Sequence, residues 1–266
     1  MMQLGILGAG NMGGAILRGL IAKGTVPPDS VTVYNKHPEK AQALHQELGV
    51  RVASSVPSLF LDSDMILLAV KPNMLSDILA ENAVYLADKA VVSIIAGWDG
   101  VKLRAALPES ARVLRVMPNT PSMVGAGMIV FENGDTLTHE EHAFAETLFS
   151  ATGVVAAVEP YQMDAVIGVS GSGPAYVYMF IDAMADGGVQ AGLPRSTAIR
   201  LAAQTVLGSA KMVLESGMHP DVLKDMVCSP GGTTIDAVAS LEKTGFRGSV
   251  IEAVQVCAEK SARMNK

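Results

Sequence analysis

Two short stretches of the 266-residue chain combine residue types and spacing that can do chemistry. The first is Gly8-Ala9-Gly10-Asn11-Met12-Gly13, a G-x-G-x-x-G between an apolar run and a helical pattern. In that setting Gly8 allows a tight turn, Gly10 lets a pyrophosphate approach the backbone, and Gly13 permits close helix–strand packing. The helix N-terminus behind it offers free N–H groups and a positive partial charge. NAD sites place Asp or Glu at the end of the following strand, to hold the ribose 2′-hydroxyl. This chain has Tyr34-Asn35-Lys36 there. With no carboxylate to repel a 2′-phosphate, one amide donor and one cation, the pattern favours NADP(H) and leaves NAD(H) open. Ligands of open α/β sheets bind beyond the carboxyl ends of strands. Ala69-Val70-Lys71-Pro72 and Ala96-Gly97 are therefore expected to border the cofactor, and Met117-Pro118-Asn119-Thr120-Pro121 the nicotinamide or substrate.

The second stretch is Cys228-Ser229-Pro230-Gly231-Gly232-Thr233-Thr234, with a helix expected from Ile235. Gly-Gly opens the backbone, the helix start offers N–H donors, and Ser229, Thr233 and Thr234 add hydroxyls. Such a loop suits an anion, a carboxylate in particular; a plain Ser/Thr-capped helix start is the competing reading. The usual acid–base equipment is missing. His37 and His45 fall on a helical segment, away from the strand ends expected to matter. His139 and His142 flank Glu140 and Glu141 with i,i+3 spacing, not the i,i+4 of a zinc motif. His219 precedes Pro220 at a helix entrance and reads as structural. No lysine occurs between Lys102 and Lys211 to protonate a carbonyl oxygen. A carbonyl needs a strong proton donor to accept hydride, whereas an imine nitrogen can already be protonated near neutral pH. The gap points towards C=N reduction.

These residues need a scaffold, and the pattern supplies one. The first half alternates strands and helices: Met2 to Leu7, Val31 to Tyr34, Val50 to Ala53, Met65 to Val70, Ala90 to Ile95, Val113 to Met117 and Val154 to Val158 read as strands. Pro38 to Leu48 reads as a helix, with Pro at its start and Gly49 past its end. Thr138 with Glu141 forms a capping box opening a helix to Ala151. Five helices follow from Pro174. Alternation and then helices predicts an α/β fold: a Rossmann-type domain over 1–159 and an all-α domain over 160–266.

Composition narrows the function classes. A net charge of -6 and pI near 5.4 disfavour nucleic acid as a partner. Two cysteines, Cys228 and Cys257, suit neither a disulfide framework nor a metal site, and fit small, buried, reduced residues in a reducing compartment. Ala165 to Ile181 is apolar but interrupted by Ser-Gly-Ser-Gly-Pro, so it reads as a buried junction and not a membrane span. With no basic leader segment before the first strand, a cytoplasmic protein is expected. Charged residues are only 17% of the chain, and residues 160–210 hold five. The helix from Pro174 is apolar nearly all round, which predicts burial on more than one side and a dimer surface over 174–210.

Taken together, GILGAGNMGGAI at 5–16, AVKP at 69–72, VMPNTP at 116–121, SGSGPAY at 170–176, DGGV at 186–189, GLPR at 192–195, KDMVCSPGGTT at 224–234 and GFR at 245–247 resemble the pyrroline-5-carboxylate reductases. The resemblance covers essentially the whole length. It implies reduction of 1-pyrroline-5-carboxylate to L-proline by NAD(P)H, the last step of proline biosynthesis. It implies a homodimer through the helical domain, with further assembly into a decamer. It also implies that Ser229, Gly231, Gly232 and Thr233 hold the substrate carboxylate, that Thr234 contacts the ring nitrogen as the catalytic residue, and that Asn119 lies by the nicotinamide. A related imine or keto reductase and a non-enzymatic NADP-binding sensor are the alternatives.

Overall fold

The computed structural model describes residues 2–265. Eight strands form one sheet: β1 (Leu4–Leu7), β2 (Val31–Tyr34), β3 (Arg51–Val52), β4 (Met65–Leu68), β5 (Ala90–Ser93), β6 (Arg112–Met117), β7 (Gly127–Glu132) and β8 (Gly153–Val158). Their order is β3-β2-β1-β4-β5-β6-β7-β8. Every neighbouring pair is parallel except β6 and β7. Parallel strands need crossovers, and these are the helices α1 (Asn11–Ala22), α2 (Pro38–Leu48), α3 (Val56–Leu61), α4 (Pro72–Asn82), α5 (Gly100–Ala105) and α6 (His139–Ser150).

Side-chain alternation explains the two-sided core. Met65 and Leu67 of β4 enter one cluster with Ile16, Leu17 and Leu20 of α1 and Phe149 of α6. Ile66 and Leu68 enter the other, with Phe60, Leu75, Leu79 and Leu103 from α3, α4 and α5. All four β4 residues are buried, as a strand covered on both faces requires. Each such side chain contributes about 1.5–3 kcal/mol.

Two elements of the alternating half escaped the sequence reading. β7 was not expected, and it is the one antiparallel insertion. The short helix α3 was not expected either; Ser55 and Ser58 cap it reciprocally. Where β6 and β7 run antiparallel, Arg115 and Glu132 form a buried ion pair of 2.8 Å. Glu132 Oε1 occupies the place where a Cβ on Gly100, at the start of α5, would sit. The Thr138–Glu141 capping box forms as expected, and Glu141 also takes a bidentate grip from Arg112, with contacts down to 2.6 Å.

The remaining helices are α7 (Met163–Val166), α8 (Gly173–Gln190), α9 (Arg195–Ser216), α10 (Pro220–Val227), α11 (Thr233–Lys243) and α12 (Phe246–Asn265), with a π-helical turn at Ile167–Gly171. The chain forms two units: the described residues up to Ser172, rejoined by those from Val256 on, and Gly173–Gln255. The division expected at 159/160 therefore falls later, and the chain returns to the first unit at its end. Packing explains both shifts. Met163 is buried against Met117 and Val130. Ser261 Oγ donates to Asp164 Oδ1 at 2.6 Å, Asn265 Nδ2 donates to the same oxygen at 3.1 Å, and the Cys257 thiol donates to Ser172 Oγ at 3.1 Å. Cys257, Ser261, Met264 and Asn265 lie i, i+4, i+7 and i+8 apart, which is one helix face.

Residues 165–181 are not the buried junction expected. Val169 is 64% and Met179 73% exposed within this chain. Both cysteines are free and half-buried rather than buried. Among the described residues, no helix is long and apolar enough to cross a membrane.

Candidate active site

The glycine loop follows β1 directly. Gly8 has φ +113°, a conformation L side chains rarely adopt, and its N–H donates to Tyr34 O at 2.9 Å. Gly13 packs so close to Gly8 O that no Cβ fits, while the space beside Gly10 is open to 4 Å. Asn35 bridges the loop and the end of β2: its Oδ1 accepts from Ala9 N at 3.0 Å, and its Nδ2 donates to His37 O at 3.0 Å.

A cavity of about 360 Å³ opens where β1, β2 and β4 end. Gly8, Gly10, Asn35, Lys36, Ala69, Val70 and Lys71 line it. Ala9, and Asn11, Met12, Gly13 and Pro72 at the starts of α1 and α4, are not among its lining residues. Ala96 and Gly97 also stand outside. The position where a Cβ on Gly97 would sit is 3.3 Å from Met264 Cε, so this strand end is covered by α12. Sequence reasoning missed His37 and Lys40, which both line the cavity. Setting His37 apart from the strand ends is thus corrected. It is the residue before α2, and the first turn of α2 carries Lys40 to the same opening. The lining holds Lys36, His37, Lys40 and Lys71 and no carboxylate. Glu39, 3.7 Å from His37 Nδ1, is the nearest acid to the imidazole and lies outside the lining.

Asn119, just past β6, is buried and engaged. Its Nδ2 donates to Ser170 O at 3.0 Å and its Oδ1 accepts from Met128 N at 2.9 Å. It clamps the π-helical turn and β7 to the end of β6, leaving one N–H and one lone pair uncommitted. π-Turns concentrate at functional positions.

The second stretch folds as a tight turn running into a helix. Gly232 N–H donates to Ser229 O at 3.0 Å, with Pro230 and Gly231 (φ +67°) between them. Pro followed by a positive-φ glycine is the pattern of a type II turn. Helix α11 begins at Thr233, two residues before the expected Ile235, so Thr233 and Thr234 occupy its first turn and Gly232 is the cap. No side chain caps it, which removes the competing reading of a simple Ser/Thr cap. Ser229 Oγ lies against Gly232, where a Cβ would collide with it. The turn presents three hydroxyls and the free N–H groups of a helix start. His219, by contrast, accepts from Asp221 N at 3.2 Å as a structural cap. No cluster of metal-binding residues occurs among the described residues.

Residues 160–264 match the family described as pyrroline-5-carboxylate reductase dimerisation, and residues 3–97 match NADP oxidoreductase coenzyme F420-dependent. Pyrroline-5-carboxylate reductase of Escherichia coli K12 is 48% identical, over 99% of this chain and 98% of that one. The chain belongs to the pyrroline-5-carboxylate reductase family. The Arabidopsis thaliana member is 41% identical over 99% of this chain and 96% of its own. Among solved structures, the Plasmodium falciparum pyrroline carboxylate reductase with NADP bound superposes with a TM-score of 0.91 at 32% identity, covering 100% of this chain and 98% of that one. The Coxiella burnetii reductase matches equally well, at 0.91 and 32%, covering 100% and 99%. The family carries a dimerisation region over the helices of this chain, and an oligomer follows from it.

Proposed function

We propose that this chain reduces the C=N bond of 1-pyrroline-5-carboxylate to give L-proline, closing proline biosynthesis, with NADP(H) as its cofactor. The observation that carries this reading is one chain holding both a cationic dinucleotide cavity without a carboxylate and an anion-binding SPGGTT turn. The cavity fits the adenosine end of NADP(H): Gly10 leaves room for a phosphate, and Asn35, Lys36, His37 and Lys40 gather at the end of β2, where the ribose 2′ position lies in this fold. When bound, the reduced nicotinamide supplies hydride to the imine carbon.

The chain's own residues then have defined tasks. The substrate carboxylate is held by Ser229 Oγ and the backbone N–H groups of Gly231 and Thr233, on the turn that the Gly232 N–H closes. Thr234, in the first turn of α11, hydrogen-bonds the ring nitrogen and fixes the face the imine presents. Asn119 holds the π-helical turn to the end of β6, where the nicotinamide of a bound dinucleotide would lie. Catalysis rests on orientation in a near-attack geometry, and the nitrogen proton comes from the iminium itself or from water.

The working form in this reading is a dimer through the helical unit, assembling further into a decamer. Val177, Tyr178, Met179, Phe180 and Met184 of α8 are exposed in the single chain, and an apolar groove of about 820 Å³ runs between α8, α11 and α12. A second copy of the chain would cover them. The free thiols Cys228 and Cys257 fit a cytoplasmic location. Steady-state assays decide the chemistry: NADPH oxidation should be fast with pyrroline-5-carboxylate and slow with 2-keto acids and other cyclic imines. Equal rates with keto acids would overturn the assignment.

A further inference from the structure

Trp98 is the only tryptophan and stands just beyond the end of β5. It is 7% exposed and packs in the cluster that contains Leu75 of α4 and Leu103 of α5. Its indole N–H donates to Pro72 O at 3.3 Å. Lys102 Nζ stands 4.9 Å from the ring centroid and donates to Gly97 O at 3.3 Å. One side chain therefore ties the segment after β5 to the Ala69–Pro72 turn after β4. Ala69, Val70 and Lys71 of that turn, with Met74 in the first turn of α4, line one wall of the dinucleotide cavity.

We propose that Trp98 is a positioning residue for the adenosine end of the dinucleotide, acting through the 69–72 turn and touching no ligand itself. The inference rests on reading the cavity as a dinucleotide site. A buried indole N–H needs an acceptor, and here that acceptor is the carbonyl of Pro72, the residue next to Lys71 of the wall. The apolar bulk of the ring serves the core, whereas the N–H serves the turn. Trp98→Phe separates the two, because it keeps most of the bulk and removes only the donor. With its tether cut, Val70 and Lys71 sample more positions, and adenosine binding must first select the productive one.

The test is calorimetric titration of the full chain with NADPH and with adenosine 2′,5′-bisphosphate, a fragment lacking the nicotinamide. In Trp98→Phe both dissociation constants should rise by about 3–10-fold, the worth of one hydrogen bond. KM for NADPH should rise in step, while kcat and KM for pyrroline-5-carboxylate stay at wild-type values. Replacement of Trp98 by benzothienylalanine, which keeps the ring shape without the N–H, should give the same loss and decides the matter if the Phe variant does not fold. Wild-type affinity for the fragment in either variant overturns the proposal. So does a loss shared equally with kcat, which marks a purely structural role. If the wild-type chain itself binds neither NADPH nor the fragment, the dinucleotide reading fails first and takes this proposal with it.

Discussion

In β4 all four residues are buried, and the sheet's two faces each close over a packed cluster. In the unit from Gly173 to Gln255, Ala185, Ala198 and Ala202 are the only buried residues described, while Met179, Leu207 and Leu214 are 73%, 61% and 83% exposed. The same apolar chemistry thus serves two purposes. Strands bracketed by helices satisfy themselves. Apolar helices with so little to pack on need a second surface, because a monomer would leave side chains such as Met179, Leu207 and Leu214 in water. The sheet unit is finished by its own chain, and the helical unit by another.

The sharpest way to break that contrast is Met179→Glu. A charge with no partner in a covered interface costs about 3–5 kcal/mol, so the oligomer should dissociate and turnover should collapse. Light scattering that still shows an oligomer would remove α8 from the interface. Next in size, Thr234→Ala should lower kcat by about tenfold or more, the loss of one hydrogen bond to a charged group, and leave NADPH affinity unchanged. Wild-type turnover would take Thr234 out of the mechanism. On the sheet side, Lys36→Glu should raise KM for NADPH by about tenfold and spare NADH, with the gap narrowing as salt is added. An equal effect on both cofactors would contradict a 2′-phosphate role.

Gly100→Ala sharpens the contrast from within the core. The new methyl collides with Glu132, and overpacking of this kind costs about 1–3 kcal/mol, visible as a lower denaturation midpoint. The smallest effect concerns Glu141, whose hydrogen bonds from Arg112 hold its carboxyl below the ordinary 4.5. A depressed folded-state value stabilises the fold at pH above 4.5 and loses that contribution as pH falls through the lower folded value. The stability gap between wild type and Glu141→Gln should therefore be about 1 kcal/mol at neutral pH and close on acidification. A gap that is constant with pH would show that the pair contributes nothing through its charge.

Strands bounded by turns and helices with end signals were legible in the sequence, as Pro38–Leu48 shows. β7 was not, because it follows Pro- and Gly-rich turns without a crossover helix and breaks the alternation the reading relied on. The cofactor loop was legible as a motif, since its meaning lies in local backbone. His37 and Lys40 were not, because their place at the cavity depends on where α2 starts relative to the end of β4. Asn119 was legible as a residue of interest, but not its clamp. Its partner Ser170 is 51 residues away, and no local pattern encodes such a pairing. Roles carried over from the family likeness, those of Ser229 and Thr234 above all, owe little to spacing.

The face of α12 that carries Cys257, Ser261, Met264 and Asn265 has a consequence for synthesis. These residues cover Gly97, Asp164 and Ser172, yet they leave the ribosome only after α8 to α11. The sheet can gather as its strands emerge, but its final brace arrives only after the helical segment is complete. Nor is the nucleotide-binding half a portable cassette. Recombination that moved the first 172 residues alone would leave behind the stretch that locks them.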